Sequence, residues 1–209
     1  MAADDLVLAL TGASGAPYGV RLLEVLIHSG RTVHLTISPA AVQVMEREID
    51  RVVRLDRFSL SDMLGSKATK VDAGQVRYHH FQDFKAGIAS GSFLTGGMVV
   101  CPCSMGTVAA IAHGLSQNLI QHAADVHLKE RRPLILVPRE TPLHGIQLRN
   151  LAACADAGAV ILPAMPPFYN RPRTLQDNID FIVGRICDQL RIKHDLLKRW
   201  GTEEGIEAD

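Results

Sequence analysis

The feature that most constrains this chain is a series of short, unbroken apolar segments, each ended by a turn and followed by a helical pattern. Leu6–Leu10 leads into Thr11-Gly-Ala-Ser-Gly15, then into a stretch whose apolar residues Val20, Leu22, Leu23, Leu26 and Ile27 recur at helical spacing. Val33–Ile37 leads into Ser38-Pro39 and a second helix. Met98–Cys101 leads into Pro102-Cys-Ser-Met-Gly106 and a helix reaching about His113. Leu134–Val137 precedes Pro138-Arg-Glu-Thr-Pro142 and a helix ending near Gly158. Ala159–Leu162 precedes a proline-rich loop, after which Leu175–Leu190 reads as a long helix. Strands covered on both faces are continuously apolar rather than alternating, and strand–helix alternation specifies a parallel sheet with right-handed crossovers. The expectation is a single α/β domain, a Rossmann-like doubly wound parallel sheet, over residues 1–190, with 191–209 as a polar tail. Gln75–Phe81 is a weaker candidate for an extra strand.

Charge narrows the function classes. The 22 basic and 22 acidic residues cancel, so no global field draws in nucleic acid or an anionic membrane. Any bound anion must be held by local donors. The N-terminus lacks the basic flank and long apolar run of a signal peptide, and Leu6–Leu10 is far too short to span a bilayer. A cytoplasmic protein is expected. The four cysteines do not form a disulfide framework in a chain this long, and Cys101 and Cys103 have no second Cys/His pair to complete a zinc site. The nine histidines are scattered without ligand spacing, so no metal is assigned. Nucleophile elbow, P-loop and basic–aromatic stripe are all missing.

In an open parallel sheet, ligands bind at the carboxyl ends of the strands, so the turns are where chemistry belongs. Thr11–Gly15 is a small-residue turn entering a helix, where free N–H groups and the helix dipole favour a phosphate. Its spacing is not that of the dinucleotide fingerprint, and a tight turn also needs glycine for steric reasons alone. Ser38, Ser104 and Thr107 repeat the small, hydroxyl-bearing theme, although a lone serine before a helix is more often an N-cap. Arg139 suits a phosphate or a flavin carbonyl and Glu140 suits proton transfer; an exposed ion pair is the commoner role for such neighbours. Phe168 and Tyr169 lie in the proline-rich loop as an aromatic wall with one phenol.

Several strings, in order along the chain, resemble the UbiX-type flavin prenyltransferase family. They are Thr11-Gly-Ala-Ser-Gly15, Ser90-Gly-Ser92, Cys101-Pro-Cys-Ser-Met-Gly-Thr107, Asn118-Leu-Ile120, Ala123-Ala-Asp-Val126, Leu128-Lys-Glu-Arg-Arg-Pro133, Pro138-Arg-Glu140 and Phe168-Tyr169. The resemblance implies a flavodoxin-like Rossmann fold and a homododecamer with active sites at subunit interfaces. It implies reduced FMN and dimethylallyl phosphate as substrates, without metal, and prenylated FMN as product. The product would serve UbiD-type decarboxylases of ubiquinone biosynthesis and aromatic acid breakdown. Carried over position by position, Gly12, Ala13, Ser14 and Ser38 match FMN-contacting residues, as do Ser104, Met105, Gly106, Thr107 and Arg139. Tyr169, Arg185 and Lys129 match ligands of the dimethylallyl phosphate. Glu48 and Glu140 match acids of proton transfer, with Ser14 in the same network, and Trp200 matches a tail residue that closes the site. One departure is His122, where many relatives carry an arginine before Ala-Ala-Asp; histidine supplies less charge to a phosphate at neutral pH.

Three rival readings share the flavin; one of them, direct decarboxylation of aromatic acids by this chain alone, finds no electron sink in the sequence beyond the flavin itself. An FMN-dependent cysteine decarboxylase of the related flavoprotein group relies on a histidine in the helix after the second strand. Here Ser38–Asp50 holds no histidine and has Glu48 instead. A non-enzymatic FMN carrier needs the hydroxyl-bearing turns but not Glu48, Glu140, Lys129 and Tyr169 together.

Overall fold

The computed structural model describes residues 5–70 and 72–197. Six strands, β1 (Leu6–Leu10), β2 (Val33–Ile37), β3 (Val76–Tyr78), β4 (Gly97–Cys103), β5 (Leu134–Pro138) and β6 (Val160–Ile161), form one sheet in the order β3-β2-β1-β4-β5-β6. Every pairing is parallel. This is the Rossmann strand order, and without the three-residue β3 the remaining five follow the flavodoxin order. The expected extra strand at Gln75–Phe81 is thus present but reduced to an edge of three residues.

Helices α1 (Ala16–His28), α2 (Pro39–Ile49), α3 (Leu60–Leu64), α4 (Met105–Ala112), α5 (Leu119–Lys129), α6 (Gly145–Asp156) and α7 (Leu175–Gln189) cover both faces. Side chains alternate across the strands. Leu6, Leu8 and Leu10 enter the core shared with α1, α2, α3 and α7, whereas Val7 and Ala9 enter the one beneath α4, α5 and α6. All five residues of β1 are buried, which is why its hydrophobicity is unbroken. Fully burying each leucine contributes on the order of 2 kcal/mol. Helix α1 lies close to β4 because Gly19 has no side chain; a Cβ there would stand 2.5 Å from the Cys101 carbonyl oxygen. Arg21 then ties α1 to α7 through Asp180 at 2.7 Å. The core reaches past residue 190, since Ile192 is buried within it and a side chain on Gly184 would meet Leu197.

The four cysteines are unpaired and buried, and burial pushes their thiols up, away from thiolate chemistry. Buried His127 donates or accepts within the protein only, contacting the Ala123 carbonyl at 2.6 Å and the Thr95 hydroxyl at 2.8 Å. Burial holds its pKa down from 6.5 to about 4. The unfolded chain therefore binds a proton that the folded chain refuses over that window. Stability from this group is full above about pH 6.5 and falls progressively towards pH 4, by about 3 kcal/mol in total. Urea midpoints measured between pH 7 and 4 should show this slope, and His127→Gln should flatten it.

Candidate active site

The strand order reverses direction between β1 and β4, and the crevice above their carboxyl ends is the topological switch point. Thr11 fixes its floor. Its backbone N–H and its hydroxyl both donate to the Pro102 carbonyl, at 3.1 and 2.9 Å, and the hydroxyl oxygen accepts from the Ser104 N–H at 2.7 Å. The turn after β1 and the start of α4 are thereby held in one geometry. Along the edge the turns follow the strands in the order Ser38, Thr11–Gly15, Ser104–Thr107 and Arg139–Glu140. Three interstrand steps make that row about 14 Å long, the scale of a mononucleotide.

The small residues divide into two roles. Gly12 is steric: any Cβ would collide with Ala40 at the start of α2. Gly15 has φ 123° and enters α1 without a capping side chain of its own. Gly106 is different, because nothing lies within 4 Å of the place its Cβ would occupy. The first turn of α4 therefore faces open space. Ser38 and Ser104 do act as N-caps, accepting from Ala41 N–H at 3.1 Å and Thr107 N–H at 3.3 Å. Ser104 also shares a hydrogen bond of 3.0 Å with the Thr107 hydroxyl.

Glu48, near the end of α2, reaches across to α1. Its Oε2 accepts from the backbone N–H groups of Gly15 and Ala16, both at 2.9 Å. The anion seated at the N-terminus of α1 is thus a carboxylate of the chain itself. At the start of α4, Gly106 faces open space, so that helix end is open to an anion of a ligand. Across the crevice Arg139 donates from Nε to the Ser14 carbonyl at 3.4 Å. Glu140 is exposed and accepts from Thr141 N–H at 3.2 Å.

The structure accordingly gathers Gly12, Ala13, Ser14, Ser38, Glu48, Ser104–Thr107, Arg139 and Glu140 around one crevice. Tyr169 lies on the loop beyond β6, 64% exposed, with its ring edge-on to Phe181 at 6.2 Å. Three residues lie elsewhere in the protomer. Lys129 ends α5 beside Glu130 and Gly91, close to Pro133, whose carbonyl pairs with Met98 at the start of β4. That is the amino edge of the sheet, about 16 Å below the crevice for a five-residue strand. Arg185 lies five residues before Leu190, whose side chain approaches Gly97 at the same edge, and pairs with Asp188 at 3.8 Å. His122 lies on α5 against Phe84, with ring centroids 5.8 Å apart. Trp200 lies outside the described residues. Tyr18 also belongs to the crevice, although nothing in its spacing or neighbours separates it from helix residues in general; Thr11, within the turn that the sequence marks, ties β1 to β4. Among the described residues no group of three or more His, Cys, Asp or Glu side chains could hold a metal ion, and no helix is long and apolar enough to cross a membrane.

Fold and crevice are those of an α/β mononucleotide-binding protein. The Flavoprotein family model matches residues 2–187. The flavin prenyltransferase UbiX of Pseudomonas aeruginosa is 48% identical over 206 residues, covering 99% of this chain and 98% of the relative. The UbiX of Halalkalibacterium halodurans is 47% identical over 196 residues, covering 94% and 93%. Among solved structures, AnUbiX (PadA1) in complex with FMN and dimethylallyl pyrophosphate superposes with a TM-score of 0.84 at 39% identity, covering 97% of this chain and 100% of that one. A dodecameric FMN-dependent UbiX-like decarboxylase from Escherichia coli gives a TM-score of 0.82 at 40% identity, covering 95% and 100%. The chain belongs to the UbiX flavin prenyltransferase family. Cypemycin decarboxylase, at 13% identity and a TM-score of 0.59, shares the fold alone.

Proposed function

We propose that this protein is a flavin prenyltransferase: it joins the dimethylallyl group of dimethylallyl phosphate to N5 and C6 of reduced FMN and releases prenylated FMN and phosphate. The product serves UbiD-type decarboxylases, as in ubiquinone biosynthesis and aromatic acid breakdown, and the enzyme acts in the cytoplasm. The single observation that carries the reading is the crevice at the switch point, with hydroxyl-bearing N-termini on one side and an Arg–Glu pair on the other. Near-full-length similarity to relatives named for this activity supports it.

The residues fit FMN. Gly106 leaves room that any side chain would fill, and the start of α4 offers backbone donors to an anion. Because Glu48 occupies the N-terminus of α1, the FMN phosphate is directed to α2 and α4, with Gly12, Ala13, Ser14, Ser38, Ser104, Met105, Gly106 and Thr107 around the nucleotide. Arg139 holds an oxygen of the flavin. Glu140, with one carboxylate oxygen free of the loop, accepts the proton released when the C6 bond forms. Breaking the allylic C–O bond places charge on the departing phosphate, which cations and a phenol stabilise. Tyr169, Arg185, Lys129 and, with less charge, His122 take that part.

Lys129 stands at the edge opposite its own crevice and Arg185 lies in the second half of α7, towards that edge, which favours sites shared between protomers of a homododecamer. The exposed Met165 and Phe168 on the loop beyond β6, with Leu175 at the start of α7, supply apolar surface for such contacts. Residues 1–190 make the FMN-binding domain, whose core Ile192 extends, and the tail that carries Trp200 is assigned the part of closing the site. The direct test is anaerobic incubation with reduced FMN and dimethylallyl phosphate, followed by the mass of the extracted flavin. A gain of one prenyl unit is expected. Tightly bound FMN of unchanged mass, with dimethylallyl diphosphate also inert, favours the carrier or cysteine decarboxylase reading.

A further inference from the structure

Tyr18, the third residue of α1, stands in the same crevice and has been given no part in it. Its ring packs over Gly15: a Cβ on that glycine would lie 3.0 Å from the ring's Cδ2 and 3.5 Å from the Pro102 Cβ. Gly15 is the residue whose N–H binds Glu48, and Arg139 bonds the carbonyl of Ser14 just before it. Three functional groups, a phenol, a carboxylate and a guanidinium, thus surround one dipeptide. The hydroxyl is within electrostatic reach of both charged partners, Arg139 and Glu48, and of the Cys101 thiol. No hydrogen bond ties it to another described residue.

Half-burial raises the phenol's pKa, and the Cys101 thiol and Glu48 raise it further against the opposing pull of Arg139. The group therefore stays protonated through neutral pH and can act only as a neutral donor or acceptor. Glu48 is already engaged by two backbone amides, and Arg139 offers no lone pair. Tyr18 and Arg139 therefore flank the same Ser14–Gly15 dipeptide, and the phenol's O–H is left to donate to an acceptor that the described residues do not supply through a hydrogen bond.

We propose that the Tyr18 hydroxyl donates a hydrogen bond, beside Arg139, to an anionic oxygen of the bound substrates. Two sources share that chemistry: the pyrimidine edge of the reduced flavin and the phosphate of the allylic donor. The inference rests on the prenyltransferase reading for the identity of these ligands, but its test uses binding alone.

Tyr18→Phe keeps the ring against Gly15 and removes only the donor. Its affinities for oxidised FMN, reduced FMN, and inorganic phosphate or dimethylallyl phosphate added to the FMN-bound protein should be compared with those of the parent. A hydrogen bond to a charged acceptor predicts a loss of roughly tenfold or more at one ligand. Weakened reduced FMN with unchanged oxidised FMN assigns the flavin edge. Weakened inorganic phosphate and dimethylallyl phosphate, with both flavin forms unchanged, assigns the leaving group. All affinities within about twofold of the parent, with the thermal midpoint also unchanged, overturns the proposal. Failure of the prenyltransferase reading would appear separately, as parent protein that leaves the flavin mass unchanged.

Discussion

Glu140→Gln is expected to lower the rate of flavin prenylation by roughly 10²–10³-fold while FMN affinity stays within about twofold. The glutamine keeps the size of the side chain and the oxygen that accepts from Thr141 N–H at 3.2 Å, but it cannot take a proton at neutral pH. The carboxylate is exposed just past the end of β5, next to Arg139, and among the described residues its hydrogen bond is the one from Thr141 N–H. The variant should therefore fold as the parent does, so that lost rate is lost chemistry. Single-turnover formation of prenylated flavin, followed by mass, measures the rate; flavin fluorescence on titration measures affinity. An unchanged rate would move the base to another group, the departing phosphate being the nearest in kind. Equal loss of rate and FMN affinity would make Glu140 a binding residue instead.

Glu48→Ala should act first on stability. The side chain satisfies two backbone N–H groups at the start of α1, where the helix supplies no cap of its own. Removing it leaves both donors without a partner and the helix dipole without its anion, at a cost of about 2 kcal/mol. For a chain of this length that lowers the melting temperature by roughly 4–8 °C. The vacated N-terminus is also an anion site, so inorganic phosphate should restore part of the loss in the variant and do less for the parent. A melting temperature within a degree of the parent's, insensitive to phosphate, would show that water replaces the carboxylate at no cost. The experiment also separates the two parts Glu48 can play. A variant rescued in stability by phosphate but still slow in prenylation would leave a direct chemical contribution to account for.

Much of this protein is written locally along its chain. Unbroken apolar runs such as Leu6–Leu10 and Leu134–Val137 can be satisfied only by strands covered on both faces, so the doubly wound parallel sheet follows from hydrophobicity and chain order. Because ligands in such sheets sit at the carboxyl ends of strands, the turns at Thr11–Gly15, Ser38, Ser104–Thr107 and Arg139–Glu140 are marked by the sequence itself. Family strings in the right order then supplied the chemistry.

Tertiary structure decided what those residues do to one another. Glu48 is 33 residues from Gly15, and no local pattern says that its carboxylate, rather than a ligand's phosphate, sits on α1. The same holds for Thr11, which reaches Pro102 and Ser104 only because β1 and β4 are neighbours at the point where strand order reverses. Gly12 and Gly106 look alike in sequence, yet one abuts Ala40 and the other faces open space. Lys129 matches the same site as Arg139 in sequence, and the crossover from β4 to β5, which ends in α5, carries it to the opposite edge of the sheet. Periodicity and turn chemistry act over a few residues, so they fix elements and strand ends. Which side chains meet across 30 to 160 residues is set by packing, and packing exists only in the folded chain.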